Sequence, residues 1–150
     1  AAAFTTLEAD LAVSPSSALT YILGSVIFGS GGEAERAIEW SERGLRLSPF
    51  DSWAWAAFDA QAMSHLSRGR YEEACHAAYR SVQTNPTHSI TYVQLAAALA
   101  KRLDEAKAAA ARVLELQPAF RYSRQFAGVN CYPALAEALG GALRLAGLPE

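Results

Sequence analysis

Few side chains in this 150-residue chain combine the type and the spacing that chemistry needs. His65, His76 and His88 follow one another at intervals of eleven and twelve residues, so none forms the i, i+3 or i, i+4 pair of a helical metal site. His76 is expected on the solvent side of its helix. Cys75 and Cys131 stand outside any C-x-x-C pair, and Cys75 falls on an apolar stripe where a small buried thiol is expected. Acidic pairs occur at Glu72–Glu73 and Asp104–Glu105, each just after an expected turn. Their recurrence fits the helix macrodipole, which favours negative charge in a first turn. A general acid or base would instead need one carboxylate in an unusual environment. The turn GSGGE at 29–33 lacks the Gly-Lys-Ser/Thr of a phosphate loop, and no serine lies in a G-x-S-x-G elbow. No catalytic, metal or cofactor site is expected.

The element that positions these residues is a repeated phrase. In GRYEEACHAAYRSVQTNP, residues 69–86, Ala74, Ala78 and Ser81 fall at i, i+4 and i+7, a stripe of small side chains along which another helix can approach closely. Pro86 then stops the helix. The layout returns with Ala37, Ser41, Gly44 and Pro49, and again with Ala106, Ala110, Val113 and Pro118. A fainter copy, Ala3, Leu7, Asp10 and Pro15, opens the chain. The prolines at 15, 49, 86 and 118 are 34, 37 and 32 residues apart, which brackets the ~34-residue period of a two-helix repeat. The expected division is a second helix of an incomplete repeat at 1–17, full repeats at 18–51, 52–88 and 89–120, and a capping segment at 121–150. Opening on a second helix leads to the expectation that the chain belongs to a longer protein. Gly32 and Gly69 are the expected positive-φ turn residues. Lys101 takes that place in the third repeat and predicts a rearranged turn. The longer second unit predicts about three extra residues in its first helix or turn. Pro133 opens a last helix, whose stripe Leu135, Leu139, Leu143 and Ala146 suits an end cap.

Composition agrees with a folded, alanine-rich helical chain: 51% of residues are hydrophobic and 19% are charged. A net charge of −2, with no basic run beyond Lys101–Arg102, argues against a nucleic-acid surface. The charge-free stretch 11–30 has the length of a membrane span, but Pro15 and its serines argue against one, and the repeat accounts for it. No secretion signal is visible. Unpaired cysteines suit a reducing cytoplasm, the expected location.

GRYEEA, the alanine-rich second helices and the spaced prolines resemble the tetratricopeptide repeat over roughly residues 1–120. The chain departs from that pattern at Lys101 and at Ser41, where a large aromatic is common. The resemblance implies an all-α, right-handed α-α superhelix, a solenoid that binds protein or peptide and carries no catalytic activity. The ending LAEALGGALRLAGLPE resembles the C-terminus of bacterial signalling proteins that carry a class III adenylate/guanylate cyclase domain, or a winged-helix domain, ahead of such repeats.

In the family geometry the first helix of each repeat faces the concave side. Candidate groove residues are therefore Leu19, Ile22, Leu23 and Val26 in the first repeat, Trp53, Asp59, Ala60 and Met63 in the second, and Val93, Gln94 and Ala97 in the third. A partner segment, extended or helical, would lie along them. Trp53 and Trp55 are two apart, about 200° around a helix, so they are expected on different faces, one of them packed on the adjacent repeat. The lysine–asparagine clamp that some tetratricopeptide repeats use for chaperone tails is not expected, because Lys101, Lys107, Asn85 and Asn130 lie away from the first helices. Two rival readings are a homodimer through an unpartnered helix face and a nucleotide sensor at the GSGG turn. Partners are expected to be a protein, another domain of the same protein or a second copy, with neither nucleic acid nor membrane involved.

Overall fold

The computed structural model describes residues 2–14 and 16–150, and the described residues form helices and turns without strands. The helices are α1 (Ala2–Val13), α2 (Ala18–Ser30), α3 (Ala34–Leu47), α4 (Ala54–Ser67), α5 (Tyr71–Thr84), α6 (Ser89–Ala98), α7 (Leu103–Leu116), α8 (Tyr122–Gly128) and α9 (Pro133–Leu145). None is long and apolar enough to cross a membrane. α2 packs on α3, α4 on α5 and α6 on α7; the pairs then stack, with α2, α4 and α6 side by side as an inner layer. This is an α-α solenoid.

The small-residue stripes make the stacking possible. Ala37, Ser41, Gly44, Ala74, Ala78, Ser81, Ala106, Ala110 and Val113 are all fully or almost fully buried. At Gly44 even a methyl would collide, since a Cβ there would stand 2.8 Å from Ile22 Cγ1 and 3.1 Å from the Ala18 carbonyl oxygen. The bulky ring that Ser41 lacks comes from its neighbour: Trp40 meets Tyr21 and Phe28 edge-on at 5.1 and 4.8 Å, over the bare face of Gly24. Ser41 is left free to accept a hydrogen bond from Gln61 Nε2 at 2.8 Å, which ties α3 to α4.

The ends of the second helices are near copies. Ser48, Asn85 and Gln117 cap α3, α5 and α7 at φ −144°, −141° and −143° with ψ 84°, 82° and 82°. Each precedes a proline, which drives the residue before it out of the helical region. The corresponding Pro15 lies outside the described residues. Gly32 and Gly69 close the first two turns at φ 86° and 71°. At Lys101 the chain finds another way: α6 stops after ten residues, at Ala98, and the turn is made without positive φ. Two of the extra residues of the second unit lie ahead of its first helix, in the connection 48–53, and not within α4.

The acidic residues after the turns have a second role beyond the macrodipole. Arg70 Nη2 reaches Glu35 at 3.0 Å and Arg102 Nη2 reaches Glu72 at 3.1 Å, linking each turn to the preceding second helix. These pairs are solvent-exposed and screened, so they add little to stability. Cys75 is buried and its thiol donates to the Ala98 carbonyl at 3.3 Å.

The C-terminal segment returns across the inner layer. α9 buries Leu135, Leu139 and Leu143 in the core and packs on α6, with Ala146 buried just beyond its end. Ahead of it, the Tyr132 N–H donates to the Ser30 carbonyl at the end of α2. The Tyr132 ring faces Gly32. The Tyr122 N–H donates to the Pro149 carbonyl at 3.2 Å and holds the chain end against α8. The cap therefore covers part of the concave face as well as the end of the stack.

Candidate functional site

The inner layer and the returning segment enclose a cleft of about 300 Å³. α2 supplies Leu23, Val26 and Ser30; α4 and its first turn supply Trp53, Trp55, Ala56, Asp59, Ala60 and Met63. Ile90, Val93 and Gln94 come from α6, with His88 at its start, and the far wall is Gln125, Phe126, Val129, Cys131 and Leu139.

Eight of the candidate groove residues meet in this cleft: Leu23, Val26, Trp53, Asp59, Ala60, Met63, Val93 and Gln94. Three do not. Ile22 is fully buried against Gly44, between α2 and α3. Ala97 is buried and lines a separate hollow with Leu66, Tyr71 and residues of α9. Leu19 is exposed at the start of α2, outside the cleft.

Trp53 and Trp55 do share a face, contrary to the helical-wheel expectation. Their rings stack at 5.7 Å with 27° between planes. The reason is local: Trp53 precedes the helix at φ −98°, ψ 6°, and its N–H donates to the Asp51 carboxylate at 2.9 Å. The 100° step per residue starts only at Ala54. Trp55 also stacks on His88 at 4.3 Å, which carries the aromatic ladder to the start of α6.

Charge is sparse here. No Lys or Arg lines the cleft. His88 Nδ1 accepts the Ile90 N–H at 3.2 Å, and burial lowers its pKa, so the ring is neutral at neutral pH. Burial raises the pKa of Cys131, which keeps its thiol protonated. Asp59 is the exception to the apolar wall: burial drives its pKa well up, and the nearby Ser81 hydroxyl offsets only part of that. That hydroxyl makes its hydrogen bond with the Trp55 carbonyl at 3.1 Å, and neither Asp59 oxygen has a hydrogen-bond partner among the described residues. The described residues contain no group of three or more His, Cys, Asp or Glu able to hold a metal ion.

The far wall was not foreseen. The segment AFRYSRQFAGVN stands out in the sequence as basic and aromatic, but nothing in its own pattern says that Phe126 and Val129 turn back to face α4.

Two solved structures align with most of the chain. The first tetratricopeptide-repeat domain of Spaghetti (RPAP3), bound to the HSP90 peptide SRMEEVD, is 20% identical, with a TM-score of 0.63 over 76% of this chain and 93% of that one. The first such domain of the human RPAP3 protein is also 20% identical, with a TM-score of 0.64 over 87% and 98%. The fold is that of a tetratricopeptide-repeat domain. At this identity the likeness concerns the fold alone, and neither a family model nor a curated protein matches the chain. In repeat terms, the cleft lies on the face made by the first helices of all three repeats, with the C-terminal segment closing one side.

Proposed function

We propose that this chain is a non-catalytic interaction module that holds a segment of a partner protein against the first-helix face. The observation that carries the reading is the convergence of α2, α4 and α6 on one apolar cleft with a stacked Trp53–Trp55–His88 ladder on its wall. Aromatic side chains in such clefts are favoured anchors for a bound chain, and the RPAP3 domain of the same fold is bound to a peptide. The test is selection of a displayed random-peptide library on the purified chain. Val26→Glu combined with Trp53→Ser should cut enrichment at least about tenfold, the effect of losing one anchor, with helicity by circular dichroism unchanged. Equal enrichment with a folded variant would rule out this face.

The resemblance of the tail supports a place in a larger cytoplasmic signalling protein of bacteria, with an adenylate or guanylate cyclase domain or a winged-helix domain ahead of the repeats. The sequence preceding Ala1 tests that. A second copy of the chain is the alternative partner, because Val13, Leu19, Leu47 and Phe50, at the ends of α1, α2 and α3 and just beyond, are exposed apolar side chains. Sedimentation should then show a dimer that Phe50→Ser dissociates; a monomer at all concentrations ends that reading.

A further inference from the structure

The chain that closes the far side of the cleft is fixed at its ends and loose between them. Tyr122 and Leu135 are buried, whereas no residue from 123 to 134 is. The backbone hydrogen bonds of this stretch are largely its own: the Val129 N–H donates to Gln125, Asn130 to Ala127 and Cys131 to Phe126, so it keeps its shape without help from the repeats. Among the described residues, one backbone hydrogen bond ties it to the repeats, from the Tyr132 N–H to the Ser30 carbonyl at 2.6 Å. That carbonyl belongs to the last turn of α2, where a helix leaves its acceptors without internal partners. Asn130, at φ 50°, turns the chain back toward this contact in the left-handed region that few residues other than glycine adopt. Phe126 and Val129 meanwhile rest against the cleft, Phe126 half-buried and Val129 exposed.

With this stretch in place the cleft is too small for a bound segment. Three packed helices spaced 8–10 Å apart make a face roughly 20 Å across, the run of about six extended residues. The cleft holds about 300 Å³, the lower end of small-molecule sites. We propose that residues 123–134 form an autoinhibitory strap, which competes with the partner segment for the first-helix face and lifts away when the partner binds. The inference rests on the groove reading above and adds how that groove is regulated. Lifting breaks the Tyr132–Ser30 bond and takes Phe126 and Val129 off the cleft, while buried Tyr122 and Leu135 keep both ends of the strap attached. The cost of opening is then one hydrogen bond and a modest apolar contact, small enough for a partner to meet.

The test loosens the strap in two ways on the whole chain, with thermal melts to show that each variant folds. Tyr132→Pro removes the N–H that reaches Ser30, and φ −55° at this position suits proline. Tyr132→Ala, which loses the same ring and keeps the N–H, is its reference. Phe126→Ser removes the strap's half-buried ring from the cleft. A displayed random-peptide library is panned on every chain, and the selected peptides are titrated on each. Tyr132→Pro should bind them about fivefold more tightly than Tyr132→Ala, and Phe126→Ser about fivefold more tightly than the unmodified chain, as the closed population falls. Adding Val26→Glu should cancel both gains. Equal or weaker binding in either variant, which would make the stretch a fixed wall that the partner needs, overturns the strap and leaves the groove standing; so does a gain that survives Val26→Glu. If no chain selects a peptide, the groove reading falls, and alkylation of Cys131 by iodoacetamide judges the strap alone, with buried Cys75 as the internal reference. Cys131, half-buried on the cleft wall, should then react about fivefold faster in Tyr132→Pro than in Tyr132→Ala. Equal rates overturn the proposal.

Discussion

Truncating Phe120 to alanine is expected to lower the unfolding free energy by about 3–5 kcal/mol, the range for removing a fully buried aromatic ring. Phe120 is 2% exposed and follows the proline that ends the third repeat, where the stack hands over to the C-terminal segment. It belongs to the core cluster that contains Val113 of α7 and Leu135, Leu139 and Leu143 of α9. Its neighbours come from elements held by few other large side chains, because α5 and α7 contribute mainly alanine. The hole left by the ring cannot be filled by small neighbours, so the cavity penalty adds to the lost transfer energy. Against the marginal stability of a domain this size, roughly 5–15 kcal/mol, the loss is large. Urea denaturation measures it, with Leu145→Ala, an exposed position on the same segment, as the control expected to change stability by less than about 0.5 kcal/mol. A Phe120→Ala loss below about 1 kcal/mol would mean that the C-terminal segment is not packed into the repeat core. The same variant should loosen the far wall of the cleft, since Phe126 and Val129 follow directly from this anchor.

The parts of the fold legible in the sequence are those where one physical demand is repeated. Two helices in close contact need small residues at i, i+4 and i+7, and Ala37, Ser41 and Gly44 state that demand in the same words as Ala74, Ala78 and Ser81. A proline after each second helix forces the same cap, and three copies of that cap agree within a few degrees. The misread positions depend on events that occur once. The apolar pattern places Trp53 in a helix, but α4 begins one residue later because the Asp51 side chain fixes a turn ahead of it. The cleft's far wall depends on a return of the chain that only the Tyr132–Ser30 bond and the burial of Leu139 reveal. Ile22 carries the apolar signature of a groove residue, yet the bare Gly44 draws it into the core. Asp59 occupies the equivalent place in the next repeat, 22 residues before Ser81 as Ile22 is 22 before Gly44. The sequence marks Asp59 as a groove position but cannot tell that its carboxyl is unpartnered, since that depends on how Ser81 spends its proton.

That difference predicts an unusual pH dependence of stability. A carboxyl whose pKa is raised by folding holds its proton in the native state at pH values where the unfolded chain has lost it. Between the ordinary carboxylate value, ~3.9, and the raised native value, the native state therefore binds more protons, and stability falls as pH rises through that window. Asp59→Leu removes the titration and places an aliphatic side chain where the first repeat has Ile22. It is expected to stabilise the chain by about 1–3 kcal/mol at neutral pH, the usual penalty of a buried polar group without a partner, and by less near pH 4. His88, which faces the cleft from α6, and His65, later in α4, have pKa values lowered chiefly by burial. Both act with the opposite sign, adding stability as pH rises through the imidazole range, and both are common to the two proteins. Cys131, the remaining titratable group on the cleft wall, has its pKa raised and stays protonated across the range. The difference between the two stability curves, taken by urea denaturation from pH 4 to pH 8, thus isolates Asp59: it should widen with rising pH and then level off. A difference that is flat or narrows would show that the carboxyl finds a partner in solution. If it widens, the buried Asp59 carboxyl weakens the fold most at neutral pH, where a local departure from the apolar pattern set by Ile22 costs stability with no compensating contact among the described residues.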